Sequence, residues 1–328
     1  MDRNQPKIVT IFGGAGFVGT QVVEALAKRG YRIRVATRRP NLAGPVKMFG
    51  SVGQVQPIQA NVRNLASVQH AVRGADIVIN LVGVGYSSGM QSFEAVHVDG
   101  ARNVASAAKA AGVATLVHMS ALGVDSAAEV SEYAKSKFDG EAAVLEAFPQ
   151  AVIMRPSILF GMGDGFFNLL GTLARFFPVL PLIGGASRFQ PAYVGDVAEA
   201  FALAADGKAK AGKIYELGGP QVETHKDLLA RVQREAARKR PVLPLPAGIA
   251  KLIALPFSFL PFRPLITADQ VELLGKDNVV SEAAIKDKRT FAGLGITPTS
   301  MDTILPTYMY RFRKYGQYDR DNAPAPIL

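Results

Sequence analysis

A tyrosine and a lysine four residues apart, Tyr133 and Lys137, have the types and spacing needed to move a proton. Residues four apart share one face of a helix, so the lysine ammonium would lie beside the phenol. A neighbouring cation favours the phenolate and lowers a pKa that is otherwise about 10. Such a tyrosine can act as a general acid or base toward a carbonyl group. The spacing recurs at Tyr310 and Lys314, and an ordinary pair on a helix surface is the alternative interpretation.

A glycine-rich segment lies between a predicted strand, Ile8 to Phe12, and a predicted amphipathic helix. Glycines at a strand-to-helix turn let the backbone approach a pyrophosphate, and the helix N-terminus adds unpaired N–H groups and partial positive charge. A plain tight turn is the alternative, but the flanking elements favour dinucleotide binding. The predicted loop comprises Gly13, Gly14, Ala15, Gly16, Phe17, Val18 and Gly19.

Two arginines, Arg38 and Arg39, follow the second predicted strand, and no Asp or Glu occurs between Glu24 and Asp76. A carboxylate about 20 residues after the glycines would bind the ribose hydroxyls of NAD, so its absence argues against that cofactor. Arginine in its place can bind the 2′-phosphate of NADP through charge-assisted, bidentate hydrogen bonds. The sequence therefore predicts NADPH, with a solvated basic loop as the alternative for the two arginines.

Strands and helices alternate through the first half of the chain, as they do in a parallel sheet with helices on both faces. The apolar run at 76–83 is typical of a parallel strand that is buried on both faces. The predicted strands are 8–12, 32–37, 54–60, 76–83, 115–120 and 151–155, and the main helices are 92–111 and 131–148. We predict an α/β fold with a doubly wound parallel sheet of Rossmann type and a smaller C-terminal lobe.

The amino-acid composition changes after Pro156, where glycine and proline become frequent. A chain of 328 residues allows one large α/β domain and a smaller lobe. The predicted dinucleotide-binding domain spans 1–165, and the chain returns to it at about 190–220. The predicted lobe comprises 166–189 and 221–328. Its elements and those of the return are a helix at 166–177, a strand end and helix at 190–205, a strand at 213–218 and a helix at 224–240.

Composition excludes some classes of site. The chain contains no cysteine, which excludes disulfides, thiolate catalysis and cysteine-ligated metals. The histidines at 70, 97, 118 and 225 form no ligand pattern, so we expect no metal site. A bound nucleotide would use only part of the net charge of +10. The rest suits an acidic partner, an anionic membrane surface or ordinary solubility. Residues 1–7 show neither a signal-peptide nor a transit-peptide pattern.

Two C-terminal stretches combine apolar or aromatic residues with positive charge. Between Val242 and Phe262 only Lys251 is charged, but prolines argue against a transmembrane span because they leave backbone carbonyls unsatisfied in lipid. Burial in the smaller lobe is the main expectation here, and an interfacial face is the alternative. The tail at 308–320 interleaves aromatic and basic residues, which suits a protein or lipid surface, or single-stranded nucleic acid. The dinucleotide fold argues against nucleic acid.

Motifs spread over residues 7–240 resemble the extended short-chain dehydrogenase/reductase superfamily. They are Gly13, Gly16 and Gly19, the Tyr133–Lys137 pair, Arg155-Pro156-Ser157 with Phe160-Gly161, and Tyr193-Val194-Gly195-Asp196-Val197-Ala198. Within it, the chain is similar to the atypical branch that contains the NADPH-binding accessory subunit of respiratory complex I. That similarity is found at Arg38-Arg39, 118–122, 243–262, 269–271 and the basic aromatic tail.

The resemblance implies a tightly held NADPH with a mainly structural role. It also implies a place beside the membrane and near the quinone-binding region, among other subunits of a respiratory complex. Anionic lipid contact would run through 242–264 and 308–320. The location would be peripheral, on the cytoplasmic side of the bacterial inner membrane or its mitochondrial matrix equivalent. The alternatives are an active NADPH-dependent reductase or nucleotide-sugar epimerase, and a soluble NADPH sensor.

The resemblance also assigns individual residues. Reductases of the superfamily need a hydroxyl after the fifth strand, where the usual Ser-Ser pair is Ser120-Ala121 here. If Ser120 serves, an active protein would use Ser120, Tyr133 and Lys137, whereas the hydroxyl is missing if Ala121 takes that place. The usual adenine-contacting Asp is Asn61, whose amide oxygen can still accept a hydrogen bond. Tyr133 and Lys137 would hold the nicotinamide ribose. The other predicted cofactor contacts are Val62, Leu81, Val82, Gly83, Pro156 and Ser157.

Overall fold

A computed structural model of the protein describes residues 6–254 and 267–318. The chain divides into two compact units. The first unit comprises Met1–Pro156, Val194–Leu217 and Ser281–Thr297. The second unit comprises Ser157–Tyr193, Gly218–Val280 and Pro298–Leu328.

The described residues form strands and helices that alternate in the order that the sequence predicts. The strands are β1 (Ile8–Phe12), β2 (Arg32–Thr37), β3 (Val55–Gln59), β4 (Ile77–Asn80), β5 (Thr115–Met119), β6 (Val152–Pro156), β7 (Leu159–Phe160), β8 (Leu180–Leu182), β9 (Arg188–Phe189), β10 (Ala192–Tyr193), β11 (Ile214–Leu217), β12 (Glu223–Thr224) and β13 (Val242–Pro244). The helices are α1 (Phe17–Lys28), α2 (Leu65–Val72), α3 (Asp99–Ala110), α4 (Val124–Ala127), α5 (Glu132–Ala147), α6 (Phe166–Phe176), α7 (Val194–Ala205), α8 (His225–Glu235), α9 (Ala247–Ala254), α10 (Ala268–Leu274), α11 (Glu282–Lys286), α12 (Met301–Ile304) and α13 (Pro306–Met309). A π-helical turn, Glu94–Val98, leads directly into α3.

Among the described residues, the first unit contains a seven-stranded sheet in the order β11-β6-β5-β4-β1-β2-β3. Every strand pair in it is parallel. Helix α1 packs against α7, whereas α3 packs against α2 and α5, so two helical layers flank the sheet. The strand order reverses between β1 and β4, and ligands of open α/β sheets bind at the carboxyl ends of such strands. The predicted doubly wound parallel fold is confirmed.

Some predicted elements begin or end at other residues than their sequence patterns indicate. Strand β4 stops at Asn80 because the next three residues leave the sheet as a loop, so the predicted end at residue 83 is wrong. The predicted helix 92–111 begins as a π-helical turn. Helix α8 stops at Glu235, not at residue 240, because the backbone of Ala237 has a φ of 49°, which an α-helix cannot contain.

The segment 281–297 groups with the first unit, although the sequence assigned it to the smaller lobe. It lies along the edge strand β11. The backbone N–H of Ser281 donates to the carboxylate of Glu216 at 2.7 Å, and the N–H of Glu216 donates to the carbonyl of Arg289 at 2.9 Å. The Arg289 guanidinium donates to the carbonyl of Ile214 at 2.7 Å. These bonds pair polar groups that an edge strand would otherwise leave to solvent or to another chain.

The second unit has a hydrophobic core built from α6, α8, β8, β9 and the C-terminal helices. The hydroxyl of Tyr308 donates to the carboxylate of Asp164 at 2.6 Å, and both side chains are buried. The ring of Phe312 lies so close to Gly171 that a Cβ there would overlap it. The first part of the basic aromatic tail is therefore core. Tyr315 and Tyr318 are exposed, and residues 319–320 lie outside the described residues.

The described part of the apolar stretch after Pro241, residues 242–251, is largely on the surface. Strand β13 is exposed along its length, as is Ile249. Ala250 is buried and packs with Ile183 and Val271. The expectation of burial is therefore wrong for 242–244, because β13 forms only a two-stranded sheet with β8 and is not covered by another part of the described chain. Residues 255–264 of this stretch lie outside the described residues. None of the helices in the described chain is both long enough and apolar enough to cross a bilayer.

Candidate cofactor-binding site

The glycine loop between β1 and α1 is packed so closely that side chains would not fit. Gly13 has a φ of +82°, and a Cβ there would approach the carbonyl oxygen of Leu81 to 3.1 Å. A Cβ on Gly19 would overlap the carbonyl oxygen of Gly13 and the backbone of Gly14. The glycines therefore permit a left-handed turn at Gly13 and a close approach of α1 to the end of β1.

The N-terminus of α1 fits an anion. Gly16 occupies the N-cap position, so no side chain caps the helix there, and its N–H donates to the carbonyl of Gly13 at 3.0 Å. The first turn, which starts at Phe17 and includes Val18 and Gly19, contains no acidic residue. The N–H groups of this turn and the partial charge of the helix are thus left for a ligand phosphate. Gly14 and Ala15 complete the turn.

Basic residues gather where β2 and β3 end. The two strands are parallel neighbours, so the residues that follow them meet at one edge of the sheet. Arg38 and Arg39 follow β2 and are exposed, and a guanidinium nitrogen of Arg38 donates to Gln91 Oε1 at 2.6 Å. Arg63 follows β3 and donates to the carbonyl of Met90 at 2.6 Å. The loop that contains residues 90 and 91 therefore lies against both guanidinium groups.

Arg63 is a site candidate that the sequence did not suggest. It lies in the same acid-free interval as Arg38 and Arg39, but the neighbouring positions of β2 and β3 are visible only in the fold. Asn61 holds the turn before it, since its side-chain oxygen accepts from the N–H of Arg63 at 3.2 Å. Val62 is buried in the core, and its carbonyl accepts from Asn103 at 2.9 Å.

The loop after β4 is held against the glycine loop. The N–H of Leu81 donates to the carbonyl of Phe12 at 2.9 Å, and the N–H of Val82 donates to the side chain of Asn80 at 3.2 Å. The amide nitrogen of Asn80 lies 3.1 Å from Nδ1 of His118, which is buried. Gly83 follows and is exposed. Both loops thus extend from the carboxyl ends of neighbouring strands.

Helix α5 carries the tyrosine and lysine on one face. The side chain of Ser131 caps the helix by accepting from the N–H of Ala134 at 3.1 Å. Lys137 is buried, and its ammonium donates to the carbonyl of Met119 at 2.5 Å. Burial lowers the pKa of Lys137 to about 8, while the nearby Glu141 carboxylate acts in the opposite direction. Tyr133 is half-buried, with its ring edge-on to His97 at a centroid distance of 5.5 Å.

The hydroxyl of Ser120 is a buried polar group next to the end of β5. It directly follows Met119, whose carbonyl holds Lys137, and its Oγ has no hydrogen-bond partner among residues 6–254 and 267–318. An unsatisfied buried hydroxyl costs about 1–3 kcal/mol, so a polar ligand group that reached it would be favoured. Ala121 is half-buried and offers no hydroxyl. These residues fit the nicotinamide half of a dinucleotide.

The end of β6 is fixed by a buried ion pair. Arg155 donates to both carboxylate oxygens of Glu141, at 2.8 and 2.7 Å, and also to Asp125 at 2.7 Å. Pro156 ends the strand, and its carbonyl accepts from the N–H of Leu122 at 2.9 Å. Ser157 belongs to the second unit, where its hydroxyl donates to the side chain of Asn278 at 2.6 Å.

The structure therefore brings most of the predicted site residues to the carboxyl edge of the first sheet. The glycine loop, the loop after β4, the arginines and α5 all lie in the first unit. Ser157 is the predicted residue that is assigned to the second unit. Within the part of the chain that the structure describes, no cluster of three or more His, Asp or Glu side chains could hold a metal ion.

Residues 9–218 match the model of the NAD dependent epimerase/dehydratase family. A mitochondrial protein of Arabidopsis thaliana, NADH dehydrogenase (ubiquinone) 1 alpha subcomplex subunit 9, is 35% identical over 323 residues, covering 94% of this chain and 79% of that protein. The ceramide reductase of Caulobacter vibrioides is 36% identical over 191 residues, covering 58% of each chain.

Solved structures share the fold. The NADPH-dependent quinone oxidoreductase QOR2 of Escherichia coli, in complex with NADPH, superimposes with a TM-score of 0.70 at 21% identity. The match covers 92% of this chain and 98% of that one. Identity at that level supports the architecture alone, since one fold hosts many functions.

Proposed function

Because the chain belongs to the NAD dependent epimerase/dehydratase family, we propose that it binds NADPH as an accessory subunit of a respiratory NADH:ubiquinone oxidoreductase. One observation carries the proposal. The family match ends at residue 218, whereas the similarity to the plant subunit extends over 94% of the chain. The likeness to a protein named as a subunit of that complex thus reaches well beyond the nucleotide-binding part. The proposed role is structural or assembly-related, without turnover.

The first unit supplies the groups for the cofactor. The glycine loop and the first turn of α1 would take the pyrophosphate, and Asn61 the adenine. Arg38 and Arg39, assisted by Arg63, would neutralise the 2′-phosphate. Tyr133 and Lys137 would hold the nicotinamide ribose, since a lysine ammonium has three N–H donors and Met119 takes one of them. When bound, NADPH supplies a hydride donor.

Surface features of the second unit support contact with a membrane-associated complex. Phe176, Phe177 and Val179 are exposed beside α6, and Leu243 is exposed on β13. No Asp or Glu occurs in the sequence at 165–195 or 236–268, and the Arg175 guanidinium lies 5.3 Å from the centroid of the Phe176 ring. Exposed apolar groups with cations suit a partner surface or an anionic bilayer. We propose a peripheral position on the cytoplasmic side of a bacterial inner membrane, or its mitochondrial equivalent.

An active NADPH-dependent reductase is the second candidate. The side chains that would handle protons, Ser120, Tyr133 and Lys137, are all present, and the Ser120 hydroxyl is unsatisfied among the described residues. The similarity to a bacterial ceramide reductase also favours this candidate. In that case the tyrosine would act as the general acid, and the buried ammonium would favour its phenolate.

Native purification separates the two candidates. Membranes are solubilised in mild detergent, and complexes are resolved by size while NADH:quinone reductase activity and the protein itself are followed. The accessory-subunit proposal expects co-migration, with NADPH released from the complex on denaturation. A free monomer that reduces added carbonyl compounds would contradict it.

A substitution adds a second comparison. Tyr133→Phe should leave assembly unchanged if the role is structural, whereas a reductase should lose most of its turnover, about 100-fold or more. A protein whose partner binding differs between its empty and NADPH-loaded forms would instead indicate a sensor.

A further inference from the structure

A buried histidine, His97, connects two segments of the candidate site. It lies in the π-helical turn before α3 and is 2% exposed. The backbone N–H of Val84, in the loop after β4, donates to its Nε2 at 3.0 Å. Its Nδ1 lies 2.8 Å from the hydroxyl oxygen of Ser136, and that hydroxyl donates to the carbonyl of Tyr133 at 2.8 Å.

These contacts fix the tautomer of the ring. A backbone N–H can only donate, so Nε2 of His97 must be the unprotonated nitrogen, and the ring proton is on Nδ1. Nδ1 then donates to Ser136, whose own proton is directed to the carbonyl of Tyr133. The resulting chain of bonds runs in one direction from Val84 to the first turn of α5.

The ring is also held in a fixed orientation and in its neutral form. Phe93 stacks on it with centroids 5.5 Å apart, and Tyr133 meets it edge-on at the same distance. Burial, together with the positive charge of Lys137, lowers the pKa of His97 to about 3. Neutrality at physiological pH keeps Nε2 available as an acceptor.

We propose that His97 is a positioning residue that ties the loop Leu81–Val84 to the start of α5, and so fixes the nicotinamide half of the site relative to Tyr133. The inference rests on the proposed binding of a dinucleotide. Asn80 already holds Val82 from within β4. The Val84 amide is held from a different element, through His97. In the adenosine half, Arg38 and Arg63 donate to Gln91 and Met90, and neither arginine has a hydrogen bond to His97 in the described chain.

Two conservative substitutions each preserve a different hydrogen bond of the His97 ring. The amide of Gln reaches the position of the histidine Nε2 and can accept from Val84, whereas the shorter Asn reaches the position of Nδ1 and can only replace the bond to Ser136. We therefore compare His97→Gln, His97→Asn and His97→Ala with the parent protein. His70→Ala, at an exposed histidine on α2, is the matched control.

Two ligands separate the halves of the site. NADPH uses both halves, and 2′,5′-ADP uses only the adenosine half. For His97→Asn and His97→Ala, we expect NADPH affinity to fall by about tenfold, because one hydrogen bond contributes about that factor to an equilibrium constant. Affinity for 2′,5′-ADP should change by less than about twofold. His97→Gln and His70→Ala should stay near the parent values for both ligands. Equal loss of both ligands, or equal loss in the Gln and Asn variants, overturns the proposal.

Amide hydrogen exchange of the protein without cofactor gives a readout that does not depend on binding. The Val84 amide should exchange about tenfold faster in His97→Asn than in His97→Gln, because only the Gln variant retains an acceptor. Identical exchange in the two variants overturns the proposal. If the parent protein binds neither ligand, the proposed function fails, but this exchange comparison still decides whether His97 holds the loop.

Discussion

Arg155 and Glu141 form a bidentate ion pair whose side chains are only 5% and 3% exposed. The pair joins the last strand before the second unit to the helix that carries Tyr133 and Lys137. Taking both charges out of water is costly, and two parallel hydrogen bonds offset that cost. Removing one partner leaves the other buried and uncompensated.

We expect Glu141→Gln to lower the free energy of unfolding by about 3–5 kcal/mol, because glutamine is uncharged and offers Arg155 one acceptor oxygen instead of two, which leaves the half-exposed Asp125 as the carboxylate paired with the buried guanidinium. Urea denaturation measures the change. The control is Asp139→Asn, which breaks an exposed ion pair with Lys135 on the same helix and should have no measurable effect. Equal effects of the two substitutions would contradict the assigned role of the buried pair.

Gly19→Ala should disturb both stability and binding. The added Cβ would overlap backbone atoms of Gly13 and Gly14, which cannot rotate away as a side chain could. We expect a loss of about 1–3 kcal/mol of stability, and loss of NADPH binding as the loop shifts. Gly44→Ala is the control, since nothing lies within 4 Å of the position of its Cβ. Thermal unfolding and calorimetric titration check both effects, and retained NADPH affinity in Gly19→Ala would argue against this loop as the pyrophosphate site.

The arginines should decide between NADPH and NADH. We expect Arg38→Gln and Arg63→Gln each to weaken NADPH binding by about tenfold or more, and NADH binding by less than about twofold, because only NADPH carries the 2′-phosphate. Arg73→Gln, at the opposite end of the neighbouring helix α2, is the control. Calorimetry with both dinucleotides measures the ratio. Parallel losses for NADPH and NADH in the Arg38 variant would exclude its assignment to the 2′-phosphate.

The buried ammonium of Lys137 should make stability depend on pH. Its pKa is lowered to about 8 in the folded protein, from 10.5, because burial disfavours the charged form. Between pH 8 and 10.5 the unfolded chain therefore binds more protons, and stability rises with pH, on the order of 3 kcal/mol over the interval.

Comparison with Lys137→Met isolates this contribution, since methionine does not titrate. The unfolding free energy of the parent protein minus that of Lys137→Met should increase as pH rises above 8. Lys135→Met, at an exposed lysine two residues away, should follow the parent curve. A parent-minus-Lys137→Met difference that is flat from pH 7 to 10.5 would show that the ammonium is not buried in solution.

Local patterns predicted the elements that carry those parts of the candidate site whose residues lie close together in the sequence. The strand, glycine loop and helix at 8–28 follow from spacing and hydrophobic periodicity. Tyr133 and Lys137 are placed on one helical face by their separation of four residues. Arg63 was missed because its relation to Arg38 depends on which strands are neighbours in the sheet. His97 was treated only as one of four scattered histidines, since its partners Val84 and Ser136 are distant in sequence.

The C-terminal part was harder to predict for the same physical reason. Tyr308 has the sequence context of a surface tail, yet its hydroxyl partner, Asp164, lies 144 residues earlier. Conversely, the apolar residues of β13 have the composition of a core strand but are exposed. Hydrophobicity alone does not tell whether another element covers a strand. The segment 281–297 carries no local signal for its pairing with β11.

The bond between Tyr308 and Asp164 has a consequence for how the protein is made. Asp164 leaves the ribosome well before its phenolic partner has been synthesised. Until nearly the whole polypeptide has emerged, the nascent second unit lacks that donor and the Phe312 ring that fills the space beside Gly171. Premature termination shortly before residue 308 should therefore yield a product whose first unit is folded and whose second is recognised by chaperones and proteases.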